Sequence, residues 1–452
     1  MDHRSLVKNA HKIGILGNGV TGKAVKLLCN KLGKQCDIFS EQEDGISKFD
    51  KDIAKNYDLI VNSPGFMPSH DWIKIANESG NPCISELDFA ASVWEGKIVA
   101  ITGTDGKTTM TEFLTYALKK YGIDAYKCGN IGVAFSEIVA NYNSKKAWAI
   151  VEVSSFQMSN TNYMEPDFVL WTNFDKDHLD VHEDLKDYFL CKWKLIKAAN
   201  KKDPVYGRCF VGPSVESFTK KLDIPRSGIK YSIASEYELL PKSSPLDIKT
   251  QRENFALIES FWESNNFPND VLENSAISFT LPPHRLQKIA TIEKKCNDNK
   301  LEKIDFWDDS KATNFHAMKG ALESFDKPVI LIAGGKSKNE PIENFIEIID
   351  GKVKSLFLIG DSGQELYDYI LSNKNLSSKI KIMVFYKNMP KEKIMQNLVE
   401  QAYLQASDGD VVLLSPGYSS LDMFSSYNER GNFFVKNVLC LNSDNKFSFV
   451  VR

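Results

Sequence analysis

The chain is short of one-sided charge. Its 56 Lys and Arg face 59 Asp and Glu across 452 residues, a net charge of −3. That balance gives no electrostatic case for nucleic acid or an anionic membrane as partner. No apolar run approaches the roughly 20 residues of a spanning helix, and the first residues carry no charged-then-apolar leader, so the expectation is a cytoplasmic protein. The eight cysteines (Cys29, Cys36, Cys83, Cys128, Cys191, Cys209, Cys296 and Cys440) include no C-x-x-C pair. Reduced packing thiols are the reading this favours, and a cysteine-bound zinc is argued against. Internal repeats and low-complexity segments are absent as well. What the chain does have is 42% hydrophobic and 25% charged residues, a globular composition, and a length that at ~150 residues per domain predicts about three domains.

The most informative stretch is Ile98 to Thr109, IVAITGTDGKTT, followed by MTEFLTYALKK. An apolar strand running into glycines, a lysine and two threonines, then a helix, is a phosphate cradle. Gly103, Thr104, Asp105 and Gly106 form the loop. Lys107 reaches the terminal phosphates, and the hydroxyls of Thr108 and Thr109 follow, with Thr108 able to ligate a nucleotide's magnesium. The usual G-x-x-x-x-G-K-[ST] spacing is not met, because Ile101 stands where its first glycine belongs.

Upstream, an apolar strand Lys12 to Leu16 meets Gly17-Asn18-Gly19-Val20-Thr21-Gly22 and an amphipathic stretch. This G-x-G-x-x-G pattern presents backbone N–H groups to a diphosphate, whether of NAD or of UDP. A second strand, Gln35 to Phe39, leads to Glu41, where a dinucleotide-binding fold places its ribose acid. Strands at Tyr57 to Asn62, ending in Ser63-Pro64-Gly65, and at Pro82 to Ser85, ending at Glu86, complete a small parallel sheet over residues 1–94.

Beyond the phosphate loop, Cys128-Gly129-Asn130-Ile131-Gly132 is a turn before a helix, and a strand Ala147 to Val153 carries Glu152 near its end, before Ser154. A carboxylate there is costly unless paired, so Glu152 is a magnesium-ligand candidate. The strand Asp167 to Asn173 precedes His178 and His182, four residues apart. A zinc protease motif is not met because Leu179 stands where its glutamate belongs, which leaves His178 as a lone metal-facing residue. The helix Tyr188 to Lys197 carries Lys192, Lys194 and Lys197, on residue type alone a solvated face. Residues 213–245 read as irregular, and Arg252 to Trp262 as helix. After Leu281-Pro282-Pro283-His284-Arg285, strands at Ile304 to Trp307, Val329 to Ala333, Leu356 to Ile359, Ile382 to Tyr386 and Val411 to Leu414 alternate with helical sequence, a further doubly wound domain.

The segments GTDGKTT, GNIG, EVSSFQ, NFDKDHLD, PHR, DDSKATN, GGKSK and SPGYSSLDMFSSYNERG, in this order, resemble the Mur ligases. The resemblance implies an α/β protein of three domains, each on a mainly parallel sheet. These are a Rossmann-like UDP-substrate domain (1–94), a P-loop ATPase-like domain for ATP and magnesium (95–283) and a Rossmann-like amino-acid domain (284–452). It implies an ATP-dependent ligase of peptidoglycan synthesis, in the subgroup adding D-glutamate to UDP-N-acetylmuramoyl-L-alanine, acting as a monomer with two Mg2+. By it, Gly19, Val20, Thr21, Ser63, Pro64, Gly65, Asn130 and Ser154 hold the UDP substrate, while the loop from Gly103 to Thr109, with Asn254, Arg285 and Asp309, holds ATP. Lys107, Glu152, His178 and Lys192 are implied to be catalytic, with Thr108, Glu152, His178 and a carbamylated Lys192 at the metal ions. Lys311, Thr313, Lys338, Ser420, Leu421 and Tyr427 are implied to bind the amino acid. Asp105 replaces a family asparagine, and Thr250-Gln251 departs from the family's H-N pair. A related ligase using another amino acid, an NAD-dependent oxidoreductase and a non-catalytic UDP-sugar-binding protein stay open as alternatives.

Overall fold

The computed structural model describes residues 3–41, 45–177, 181–205, 207–234, 236–295, 301–337, 341–373, 378, 380–385 and 389–441. The expected positions His178 and Lys338 lie outside them. The chain divides into two compact units, one of residues 1–247 and 251–279, the other of residues 248–250 and 280–452.

The first unit holds two parallel sheets. Strands β1 (Lys12–Leu16), β2 (Gln35–Phe39), β3 (Leu59–Asn62) and β4 (Cys83–Ser85) lie in the order β2-β1-β3-β4. Strands β5 (Lys97–Thr102), β6 (Ala125–Gly129), β7 (Trp148–Glu152), β8 (Phe168–Trp171), β9 (Cys209–Val211) and β10 (Ser232–Ile233) lie in the order β10-β9-β8-β5-β7-β6. β5, β7 and β8 are buried along almost their whole length, the pattern of strands covered on both faces by helices. Two buried carboxylates tie the sheets together. Asp88 accepts from the backbone N–H groups of Asn162, Tyr163 and Met164 at 3.0, 2.7 and 2.8 Å, and Glu86 from that of Ser136 at 2.6 Å.

The second unit is built on β11 (Gln287–Lys295), β12 (Leu301–Asp308), β13 (Val329–Gly334), β14 (Val353–Ile359), β15 (Lys381–Phe385) and β16 (Val411–Leu414), in the order β11-β12-β16-β13-β14-β15. Only β11 runs antiparallel, against β12. Each sheet thus gathers its loops at the carboxyl ends of its parallel strands, where open α/β sheets keep their ligands.

The expectations differ from the fold in a few places. Residues 213–245 are not wholly irregular, because Pro213–Lys221 is a helix and Ser232–Ile233 a short strand. Pro213 at the first helical position loses no intrahelical bond, so proline content misleads there. The helix of the three lysines runs over Leu185–Lys202, extended by the side chain of Asp184, which caps it by accepting from the Asp187 N–H. Its lysines are not a common solvated face, since Lys192 is buried and only Lys197 is exposed. Lys194 donates to the carbonyls of Met158 and Ser159 at 3.0 and 3.3 Å. Among the described residues no helix is long and apolar enough to cross a membrane.

Candidate functional site

The loop after β5 owes its shape to two glycines in the left-handed φ range, Gly103 at +153° and Gly106 at +80°. A Cβ on Gly103 would overlap the Thr172 hydroxyl, and one on Gly106 the Asn254 carboxamide. Both positions therefore need glycine. The loop is bonded to the end of β8: Thr104 N–H donates to the Asn173 carbonyl at 3.1 Å and Asp105 N–H to Asn173 Oδ1 at 2.9 Å. The Thr172 hydroxyl donates to the Asp105 carbonyl at 2.6 Å. Gly106 then caps the helix Lys107–Lys120, whose first N–H groups and macrodipole favour an anion.

Two lysines converge on this loop. Lys107 Nζ donates to the carbonyls of Gly103 and Thr104 at 3.0 and 2.7 Å. Lys192 Nζ donates to the same Gly103 carbonyl at 2.9 Å and to the Thr102 hydroxyl at 3.3 Å, over the ring of Tyr188. Only 1% of Lys192 is exposed. Burial first, and the Lys107 charge second, push its amine well below the ordinary lysine value, so the neutral form is favoured.

Glu152 ends β7 in register with Ile101 of β5 and Gly129 of β6. It is 2% exposed; Oε1 accepts from Asn130 Nδ2 at 3.1 Å, and among the described residues the buried Oε2 has no hydrogen-bond partner. A buried acceptor left so is costly unless a cation or donor meets it. Thr108 sits half-buried in the first helical turn, and the buried Thr109 hydroxyl beside it has no hydrogen-bond partner among the described residues. These oxygens suit a hard divalent cation, which takes oxygen ligands. Asn254, buried and bonded to Gln251 at 3.0 Å, packs on the loop at Gly106. Thr172 and Tyr188, which shape the loop from the end of β8 and from the lysine-bearing helix, carry no motif of their own, and Asn173 opens the NFDKDHLD segment without standing among the expected ligands. Only their nearness to the phosphate loop reveals them.

In the same unit, Gly19 caps the helix Val20–Lys31, with Val20 exposed. The Ser63 N–H donates to the Leu16 carbonyl at 3.0 Å, and its buried hydroxyl, unpartnered, lies against Gly17. The two sequence-predicted UDP segments, the glycine turn and Ser63-Pro64-Gly65, are thus adjacent. Glu41 faces His70 Nε2 at 3.5 Å on the surface. Ser154 serves as a helix cap, its hydroxyl accepting from the Gln157 N–H at 3.3 Å in a capping box.

In the second unit the polar residues after β12 are bound to one another. His284, at φ +62°, meets the fully buried Asp308 at 2.6 Å from Nδ1 to Oδ2. Asp309 accepts from the Leu286 N–H at 3.1 Å and the Ser415 hydroxyl at 2.9 Å, and burial raises its carboxyl to about 8. Arg430, fully buried, donates to the Ser310 hydroxyl, the Ser310 carbonyl and the Tyr418 carbonyl at 3.1, 2.8 and 3.1 Å. Burial lowers it to about 10. From this base Lys311 projects over the Tyr427 ring at 4.1 Å. Thr313 is half-buried, Ser420 buried, and Leu421 is 64% exposed. Arg285 is half-buried, and its charge acts on Asp309. The sequence reading gave no role to Asp308 or Arg430, which bond to His284, Ser310 and Tyr418 next to the expected amino-acid residues.

Comparison with known proteins agrees with this geometry. The Mur ligase middle domain profile matches residues 101–270, and that of the Mur ligase glutamate ligase domain matches residues 292–417. The UDP-N-acetylmuramoylalanine–D-glutamate ligase of Protochlamydia amoebophila is 31% identical over 399 residues, covering 86% of this chain and 84% of that protein. Its namesake from Thermoanaerobacter sp. is 29% identical over 462 residues, covering 94% and 98%. Among solved structures, UDP-N-acetylmuramate-alanine ligase from Thermotoga maritima is similar in fold, with a TM-score of 0.55 at 15% identity over 95% of this chain and 100% of that one.

Proposed function

The chain belongs to the Mur ligase family, and on that premise we propose that it joins D-glutamate to UDP-N-acetylmuramoyl-L-alanine, converting ATP to ADP and phosphate in peptidoglycan synthesis. The substrates come from the names of the curated relatives. The observation that carries the chemistry is the phosphate loop with Lys107 and Lys192 on one carbonyl and an unpartnered Glu152 oxygen on the neighbouring strand.

The muramoyl-alanine carboxylate attacks the γ-phosphate of ATP, giving an acyl phosphate and ADP. The amine of D-glutamate then attacks the acyl carbon, and the tetrahedral intermediate collapses to the amide with loss of phosphate. Phosphoryl transfer needs alignment and charge neutralisation more than covalent help. The loop N–H groups from Gly103 to Thr109 hold the phosphates, and Lys107 turns from the loop carbonyls to the transferring group. Asn254, which packs on the loop at Gly106, and Arg285 and Asp309 are assigned to ATP as well. Mg2+ would be held by Glu152 and Thr108, with His178 and a carbamylated Lys192 to complete a two-ion set, and would supply Lewis-acid neutralisation of phosphate charge. The neutral amine favoured at Lys192 is the form that adds to carbon dioxide, which supports the carbamate.

The UDP substrate is held by Gly19, Val20, Thr21, Ser63, Pro64 and Gly65, with Asn130 and Ser154 toward the reacting end. D-Glutamate is held by Lys311, Thr313, Lys338, Ser420, Leu421 and Tyr427. One sheet in each of residues 1–94, 95–283 and 284–452 supports a three-domain division. Nucleotide substrates favour a cytoplasmic location, and a monomer is the state we propose. The test is ADP release with ATP, Mg2+ and UDP-N-acetylmuramoyl-L-alanine, comparing D-glutamate with L-glutamate, L-alanine, L-lysine and diaminopimelate. Release with D-glutamate alone supports the reading. Release with another amino acid moves the chain to a sister ligase.

A further inference from the structure

His182 and His178 invite a metal reading as a pair, yet the structure gives His182 different company. Its Nδ1 lies 2.8 Å from Asp187 Oδ2. Asp187 and Cys191, four residues apart on the helix Leu185–Lys202, share a face. One ligating atom from each of His182, Asp187 and Cys191 falls within 4.8 Å of the others. His182 is only 5% exposed, and among the described residues its buried Nε2 has no hydrogen-bond partner. The Asp187 contact therefore leaves the ring half satisfied, which a buried polar group rarely tolerates without a further partner. The Cys191 thiol is buried and has only a weak contact, 4.0 Å from the Ser159 hydroxyl.

We infer that His182, Asp187 and Cys191 form a site for a borderline-soft divalent cation of the zinc class, separate from the magnesium ligands of the ligase reaction. Imidazole, carboxylate and thiolate together are donors that zinc accepts and magnesium does not prefer. Ligands at about 2.0–2.3 Å from a tetrahedral ion stand roughly 3.3–3.8 Å apart, so the cluster closes by about 1 Å at its widest to receive it. The Asp187 side chain is 44% exposed, which supplies the entry path and leaves the fourth position to water. Binding releases the thiol proton, while the neutral imidazole keeps its N–H on the ring nitrogen that does not ligate. The absence of a C-x-x-C pair does not exclude such a site, because its donors are of three types drawn from ten residues. Tyr188 and Lys192 each follow a proposed ligand by one residue, about 100° further around the helix. The ion thus flanks the phosphate-loop face of this helix and shares none of its ligands.

The experiment is titration of the full-length reduced protein with Co2+ in excess Mg2+, read by absorption. The expected result is one equivalent bound, with a thiolate-to-cobalt charge-transfer band that Zn2+ removes. Cys191→Ser abolishes the band, His182→Asn and Asp187→Asn weaken binding by about tenfold or more, and Cys440→Ser, at an exposed thiol, keeps both band and affinity. Absence of a thiolate band in the unaltered protein, or its persistence in Cys191→Ser, overturns the site. Should Cys191→Ser fail to fold, Asp187→Asn decides, because its side chain reaches the surface. Undiminished Co2+ affinity in that variant overturns the inference.

Discussion

Two regions of the molecule bury charged groups in opposite ways. Around β12 in the second unit, His284, Asp308, Asp309, Ser310, Ser415 and Arg430 satisfy one another, and Arg430 alone makes three bonds to Ser310 and Tyr418. Around β5 in the first, two lysines share the Gly103 carbonyl, and Glu152 keeps an oxygen without a donor among the described residues. The first arrangement is a finished support whose product is the placing of Lys311 and Arg285. The second is incomplete in a way that an anion and a cation together repair: phosphate on the loop beside Lys107, a metal ion on the Glu152 carboxylate. Buried polarity is therefore no guide to function until its partners are counted.

The largest effect that separates the two regions is expected from Lys107→Ala. Loss of a charge that acts on the transferring group should lower kcat by roughly 10²–10³-fold, with thermal unfolding little changed. Next, Asp308→Asn and Glu152→Gln should move in opposite senses. Breaking the buried His284–Asp308 pair should cost about 3 kcal/mol or more in denaturant unfolding. Glu152→Gln removes a buried carboxylate that has one partner short. It should leave the protein without ligands as stable as before, or more so, while abolishing ADP release. If Glu152→Gln instead destabilises the protein as Asp308→Asn does, the two regions are alike and the contrast fails.

A third difference lies in pH. The Asp309 carboxyl is raised in the folded state to about 8, above the free value of about 4. Between those values the folded protein holds a proton that the unfolded chain has lost. Stability from this group is thus full below about pH 4, falls by up to about 1.4 kcal/mol per pH unit as pH rises, and levels off above pH 8. Asp309→Asn should flatten that slope in a pH series of unfolding curves. The smallest effect is at the helix that carries Lys192: Asp184→Ala removes its cap, for about 1 kcal/mol, without altering the loop.

How far the sequence discloses these regions follows the same divide. The phosphate loop is legible because its glycines, Lys107 and threonines are contiguous and follow an apolar strand. The parallel sheets are legible because β5, β7, β13 and β16 are short apolar runs. β6 escapes pattern reading because its segment, Ala125–Gly129, mixes Lys127 and Tyr126 with small residues. The helix Pro213–Lys221 escapes because its proline reads as a breaker. The burial of Lys192 is invisible to residue type, since a lysine between lysines reads as surface. The Arg430–Ser310 contact joins positions 120 residues apart, and no local spacing announces it.

The most direct measurement is calorimetric binding of ADP to the unaltered protein and to Lys107→Ala and Glu152→Gln, with and without Mg2+. The account predicts that Lys107→Ala weakens binding under both conditions. Glu152→Gln should weaken it only when Mg2+ is present, because the unpartnered oxygen serves the metal ion. Equal Mg2+ enhancement in Glu152→Gln and the unaltered protein would contradict the claim that the incomplete region of the first unit is the nucleotide and metal site.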